Sequence, residues 1–197
     1  MTAAGSVPLL VGQRCTLREL RIEDAACLAR HADNEAVWRN LFEGFPRPYT
    51  LADAQAWCEP RLRPAAAGLV WGVTVADEVI GCIGLRQDDG WLRCNAEVGY
   101  WIGEPHWGRG ISTEALSLVT AWAWASLPEI TRLYAPIFAS NQGSQHVAAR
   151  AGYALEAVLP QSAIKAGRVI DRVQYAALRR CGAAASQPER PDPPCVH

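Results

Sequence analysis

The sequence predicts a single mixed α/β domain built around one strand, one glycine loop and one helix. Three observations predict this class. Apolar spacing is helical before about residue 62, alternates over 69–85, and turns helical again from 112. Residues 97–114 read as a β-branched and aromatic strand to Ile102, a Gly/Pro loop to Gly110 and a helical run beyond, without slack between them. Half of the 197 residues are hydrophobic, enough to fill a sizeable core in one domain.

Each element has a local reason. Residues 1–11 lack a pattern and are expected to be a loose start, with the domain over 12–180. Residues 14–20 alternate and read as a strand. Asp24 begins a helix to about Ala32, and 35–42 reads as a second short one. Gly44, Pro46 and Pro48 make 42–49 a loop. Thr50 and Asp53 are spaced to cap a helix that runs to about Leu62, interrupted near Pro60 and Pro64. Residues 69–76 and 79–85 form a hairpin, with Gly81 and Gly84 marking a bulge or a close backbone approach. A turn at 88–90 leads into the central strand. The helix over 112–126 is apolar nearly all round and is expected to be mostly buried, with Glu114 in its first turn favouring the positive helix end. Residues 131–138 form the next strand, where Pro136 marks an interruption or an unpaired edge. Asn141 caps a helix to about Ala151, and Gly152 suits a left-handed C-terminal cap. Residues 153–159 and 169–178 are the last two strands. After Cys181 four prolines fall among polar residues, so 181–197 is expected to be a disordered tail.

The totals exclude several function classes. With 19 basic and 20 acidic residues the net charge is −1, so no global field favours nucleic acid or an anionic membrane. The seven cysteines are scattered without a Cys-x-x-Cys pair, which fits reduced thiols in a cytoplasm and no metal site. No signal peptide and no bilayer-spanning stretch is expected.

The central stretch is a candidate anion site. A helix start leaves backbone N–H groups unpaired and carries partial positive charge. Gly108 and Gly110 allow an anion close to that backbone, and Arg109 adds a full charge between them. A plain glycine turn before an ordinary helix explains the same residues. No Gly-Lys-Ser/Thr follows, and Thr113 stands where a dinucleotide fingerprint has its third glycine.

Longer motifs add a resemblance. Glu-Val-Gly-Tyr-Trp-Ile over 97–102, the loop Trp107-Gly-Arg-Gly-Ile-Ser112, the block Asn141-Gln-Gly-Ser144 and the block Ala149-Arg-Ala-Gly-Tyr153 together resemble the GNAT N-acetyltransferases. The likeness is closest to the Rim-type ribosomal-protein N-terminal acetyltransferases and covers about residues 10–180. The family loop is Gln/Arg-x-x-Gly-x-Gly/Ala; Gly110 is in place, whereas Trp107 and Ser112 depart from it.

The resemblance implies a mostly antiparallel central sheet flanked by helices, with a splayed central strand pair. The pantetheine arm of acetyl-CoA would lie in the gap. It implies acetyl transfer from acetyl-CoA to a primary amine by direct attack in a ternary complex, without a metal. A backbone N–H near Ile102 would polarise the thioester carbonyl. Trp107, Gly108, Arg109, Gly110, Ile111 and Ser112 would cradle the pyrophosphate. Ser144 would protonate the leaving thiolate, or else serves only its own helix turn. The tyrosine that many relatives use falls on Ala148, and Tyr153 reads as core. A glutamate of some Rim-type enzymes falls on Ala163. Glu97 remains as a base or as a carboxylate that holds its neighbours, and a water relay without a dedicated base is a third route. Asn141 contacts pantetheine or simply caps its helix. His106 caps or contacts phosphate. The acceptor is expected to be a peptide or protein N-terminus. A small-molecule amine (amino acid, polyamine or antibiotic) and a non-catalytic acyl-CoA-binding module are the alternatives. Its site is expected to be built from the first helices and the 42–49 loop, with Trp38, Phe42, Phe45 and Tyr49 as lining. The chain would act as a monomer or homodimer.

Overall fold

In the computed structural model, which describes residues 7–59 and 68–179, the alternating segments assemble into one mixed eight-stranded sheet. The strands are β1 (Leu10–Val11), β2 (Thr16–Arg18), β3 (Leu69–Val75), β4 (Glu78–Gln87), β5 (Asn95–Ile102), β6 (Arg132–Phe138), β7 (Ala154–Lys165) and β8 (Arg168–Leu178). The helices are α1 (Ala25–Ala32), α2 (Glu35–Trp38), α3 (Leu51–Cys58), α4 (Ile111–Ser126) and α5 (Gln142–Arg150). The sheet order is β1-β2-β3-β4-β5-β6-β8-β7, and each neighbouring pair is antiparallel except β5 with β6.

Local chemistry sets the ends of these elements. The Thr50 hydroxyl accepts the Asp53 N–H, and the Asp53 carboxylate accepts the Thr50 N–H, a capping box that starts α3. Ala76 and Asp77 both take positive φ, at 50° and 66°, which gives the two-residue turn the twist that the β3–β4 hairpin needs. Val73 pairs with Gly81 and Thr74 with Val79, so Ile80 is the extra residue of a bulge. Gly81 also meets the second expectation, since a Cβ there would lie 2.2 Å from the Trp101 carbonyl oxygen. Gly152, at φ 89°, ends α5: its N–H reaches the Ala149 carbonyl and the Tyr153 N–H reaches that of Ala148.

Helices cover both faces of the sheet. Leu17, Trp71, Ile83, Val98 and Leu133 pack under Leu116 and Val119 of α4 and Ala148 of α5. On the other face Leu28 of α1 and Ala54 of α3 pack with Leu20, Val70, Val79 and Tyr49. Arg18 and Asp24 form a buried bidentate pair, at 2.7 and 2.9 Å, that ties β2 to the start of α1. Burial pushes the Asp24 carboxyl up, but Arg18 and the Arg21 N–H outweigh it and hold the group below its usual value.

Several expectations shift. Leu10 and Val11 already pair with β2, so regular structure begins before residue 12. The strand read over 14–20 is confined to Thr16–Arg18, and the helix read over 35–42 to Glu35–Trp38. α4 is buried along one stripe of Ile111, Ala115, Leu116, Val119 and Ala123 rather than all round. β7 continues to Lys165, well past 159. The extension of α3 to Leu62 and the tail after Cys181 lie outside the described residues. Among the described residues no helix is long and apolar enough to cross a membrane.

One feature of the sheet positions the site. β5 and β6 pair only from Asn95 opposite Arg132 to Glu97 opposite Tyr134, and then part. Beyond that point β5 stays with β4 as far as Ile102, while β6 stays with β8 as far as Phe138. Pro136 lies past the last β5 partner, so its missing N–H costs no β5–β6 bond.

Candidate active site

Where β5 and β6 part, a cleft of about 660 Å³ opens. Its walls are Tyr100, Trp101 and Ile102 of β5, residues 140–144 at the head of α5, and Trp107, Gly108 and Ser112 of the loop. Val37, Arg39, Asn40 and Leu41, at the end of α2, complete it. A second cleft of about 340 Å³ shares Ile102, Gly108, Ser112, Gly143 and Val147, and adds His106, Gly110, Thr113, His146 and Arg150. The shared residues make the two a continuous trough between the heads of α4 and α5.

The loop has the backbone that an anion site requires. Gly108 and Gly110 take φ of 74° and 77°, a region that side chains disfavour. A Cβ at Gly108 would meet nothing within 4 Å, so that face of the loop is open. Gly110 caps α4 without a side chain, and the helix's first bond runs from the Glu114 N–H to the Gly110 carbonyl. The N–H groups of Ile111, Ser112 and Thr113 precede that bond and have no helical acceptor. Trp107 has a reason to differ from glutamine or arginine: its indole N–H donates to the Ile102 carbonyl at 2.8 Å and folds the loop onto the end of β5. Arg109 is exposed.

A support that the sequence did not announce lies behind the loop. The Glu114 carboxylate accepts backbone N–H bonds from Gln13 (2.9 Å), Arg14 (2.7 Å) and Cys15 (3.0 Å). Glu114 therefore pins the β1–β2 turn to the first turn of α4, beyond its expected effect on the helix end. Partial burial would raise its pKa, yet these backbone donors lower it overall. Burial, with Glu114 alongside, pushes the Cys15 thiol up to about 12, so it is inert.

At the head of α5, Asn141 and Ser144 both line the larger cleft. The Asn141 Oδ1 accepts the Ser144 N–H at 3.0 Å, and its Nδ2 donates to Ser144 Oγ at 2.9 Å. The Ser144 carbonyl accepts the Tyr100 hydroxyl at 3.0 Å, which ties α5 to β5 across the gap. The capping expectation for Asn141 is thus met, and its amide also engages the serine hydroxyl.

Other candidates fall elsewhere. Glu97 sits in the paired part of β5, bonded to Arg86 at 2.6 Å, and does not line either cleft. The pair with Arg86 fits the reading of Glu97 as a carboxylate that holds its neighbours. Ala148 is on the buried side of α5 and Ala163 lies on β7. Tyr153 is core, its hydroxyl 2.9 Å from that of Thr120. His106 lines the smaller cleft with its ring 5.2 Å from that of His31; burial first, then His31 and Arg109, lower its pKa and favour the neutral ring.

The expected acceptor aromatics are also corrected. Phe45 stacks on buried Tyr49 at 4.9 Å and meets Trp101 edge-on. Trp38 donates to the Phe45 carbonyl, and Phe42 is exposed. None of the four lines the cleft; Phe45 and Tyr49 pack into the α1–α3 face instead. Arg39, Asn40 and Leu41 line it from that side, and no periodicity marks them in the sequence. Among the described residues neither cleft is lined by an aspartate or glutamate, and no cluster of potential metal ligands is present.

Comparison with known proteins gives the same picture. Residues 14–154 match the acetyltransferase (GNAT) domain family. The uncharacterized N-acetyltransferase YoaA of Bacillus subtilis is 27% identical over 176 residues, covering 87% of this chain and 97% of the relative. The fold superposes on the microcin C7 self-immunity acetyltransferase MccE, solved with acetyl-CoA and AMP, at a TM-score of 0.74 and 20% identity over 85% of this chain and 94% of that one. It superposes on RimL, a ribosomal alpha-N-protein acetyltransferase solved with coenzyme A, at 0.73 and 22% identity over 87% and 98%.

Proposed function

The chain belongs to the GNAT acetyltransferase family, and from that premise we propose that it moves an acetyl group from acetyl-CoA to the α-amine of a peptide or protein N-terminus. One observation carries the choice of acceptor: no carboxylate lines the cleft among the described residues. The attacking amine must be neutral. An α-amine has a pKa of about 8, so roughly a tenth is neutral at pH 7; a side-chain amine at about 10.4 is neutral less than once in a thousand. A site without a base therefore favours the amine that gives up its proton unaided. A polyamine or aminoglycoside would find no anionic side chain to pair with.

The residues present suit acetyl-CoA. The open Gly108 and the first-turn N–H groups of α4 fit a pyrophosphate, with the exposed Arg109 between the two loop glycines. His146 and Arg150 extend the same trough. Past Glu97 the facing edges of β5 and β6 are free of each other, which gives the amides of a pantetheine arm backbone partners. Ile102 ends that edge, and its neighbourhood supplies the N–H that polarises the acyl carbonyl. The thioester supplies an activated acyl group and a leaving thiolate. Ser144 protonates that thiolate from the wall of the gap.

Calorimetric titration with acetyl-CoA, followed by thiol release with a Ser-Ala peptide, tests this reading. Wild type should bind saturably, and Gly110→Trp should lose binding while still unfolding cooperatively. Ser144→Ala should bind normally and turn over about 10² to 10⁴ times more slowly, the range for a general acid. A folded wild type that does not bind acetyl-CoA would overturn the reading.

A further inference from the structure

Resting on that reading, we propose that Arg39 receives a carboxylate of the acceptor, so that the preferred substrate is an amine with an acidic group a few bonds from the reacting nitrogen. Arg39 is the one formally charged residue among the described residues that line the larger cleft. It is exposed, and among the described residues its guanidinium has no hydrogen-bond or ion-pair partner. The neighbouring cations are already engaged. Arg47 pairs with Glu35 at 3.1 Å and lies over the Trp38 ring. Lys165 is buried, with its ammonium 3.6 Å from the centre of the same ring and 3.4 Å from the Phe42 carbonyl oxygen.

The backbone that carries Arg39 is fixed at both ends. Before it, Asn34 Nδ2 donates to Glu104 at 2.8 Å, on the turn after β5. After it, the Ala166 N–H donates to Glu43 at 2.8 Å, on the β7–β8 turn. These anchors belong to the two halves of the parted sheet, so the segment spans the cleft and holds Arg39 at its wall. Arg39 does not line the smaller cleft, where Gly110, Thr113, His146 and Arg150 face the phosphate position. A guanidinium is a planar fork of donors that matches a carboxylate. Dehydration at such an exposed position is partial, so the discrimination expected is about tenfold.

The test uses amidated peptides Ser-Asp-Ala, Ser-Ala-Ala and Ser-Lys-Ala, together with free serine, against wild type, Arg39→Ala and Arg39→Glu. In wild type kcat/KM should fall about tenfold from the acidic to the neutral peptide and further to the basic one. Arg39→Ala should bring the acidic-to-neutral ratio near one, and Arg39→Glu should invert the acidic-to-basic order. The acetyl-CoA Kd should be unchanged in both variants. Free serine outranking Ser-Asp-Ala, with the same loss in Arg39→Ala, assigns the carboxylate to an amino acid and keeps the role of Arg39. Equal turnover of all three peptides by wild type, or weaker acetyl-CoA binding in Arg39→Ala, overturns the inference and leaves the transferase reading standing. No turnover of any peptide, with acetyl-CoA bound, overturns the peptide reading itself.

Discussion

The side-chain amide of Asn141 has only one workable orientation. Its Oδ1 must face the Ser144 N–H, so its Nδ2 must face Ser144 Oγ. A hydroxyl that accepts there keeps its own proton free, and Ser144 lines the cleft into which that proton is to be given. Asn141→Asp reverses this. The second carboxylate oxygen draws the serine proton to itself, while the first still caps α5. We expect kcat to drop to the level of Ser144→Ala, with the fold intact and acetyl-CoA affinity retained. The double variant should be no slower than Ser144→Ala, as residues that act as a unit are not additive. A further drop in the double variant, or weaker acetyl-CoA binding in Asn141→Asp alone, would assign Asn141 to the cofactor instead. The Asn141 to Ser144 spacing made this pair legible in the sequence, since a cap and its third residue meet by construction. Glu97 was not legible in the same way. Its partner Arg86 is set by the register of β4 against β5, which no local pattern encodes.

Among the elements, α4 and its loop are held from behind as well as from within. Glu114 gathers three backbone N–H groups of residues 13–15, and Gly12 leaves room for it, since a Cβ there would come within 2.5 Å of the carboxylate. Glu114→Gln keeps the size but turns an amide N–H toward a backbone N–H. Hydrogen bonds to charged groups contribute about 1.5–3 kcal/mol each, and some are replaced, so we expect a net loss of about 2 kcal/mol in a urea unfolding curve. Acetyl-CoA affinity should weaken with it, because the loop shares that anchor. An unchanged midpoint would show that the turn is held by β1–β2 pairing alone. The α3 capping box and the Gly152 cap were readable because each is written in nearby residues, whereas the β3–β4 turn falls on Ala76 and Asp77, one residue before the join that the strand bounds implied. The shortness of α2 was not. Residues 39–41 carry helix-compatible side chains, but the chain must cross from the β5 side to the β7–β8 turn, a tertiary demand that overrides propensity.

At the scale of the molecule, function follows from an incomplete pairing. A parallel pair of central strands that separates after Glu97 opens a gap inside an otherwise continuous sheet. Helix heads from α4 and α5 then face each other across it. The order of elements along the chain and the loop were legible from periodicity and from family likeness; the emptiness of the cleft in carboxylates was not, because it depends on which residues three distant segments bring together. That emptiness is the ground for assigning an α-amine. The most direct test offers both amines in one molecule: the peptide Ser-Asp-Ala-Lys with a free α-amine and a free lysine side chain, incubated with acetyl-CoA at pH 7. Tandem mass spectrometry locates the added acetyl group. Acetyl on the serine α-nitrogen is the predicted result, and acetyl confined to the lysine side chain would contradict the account.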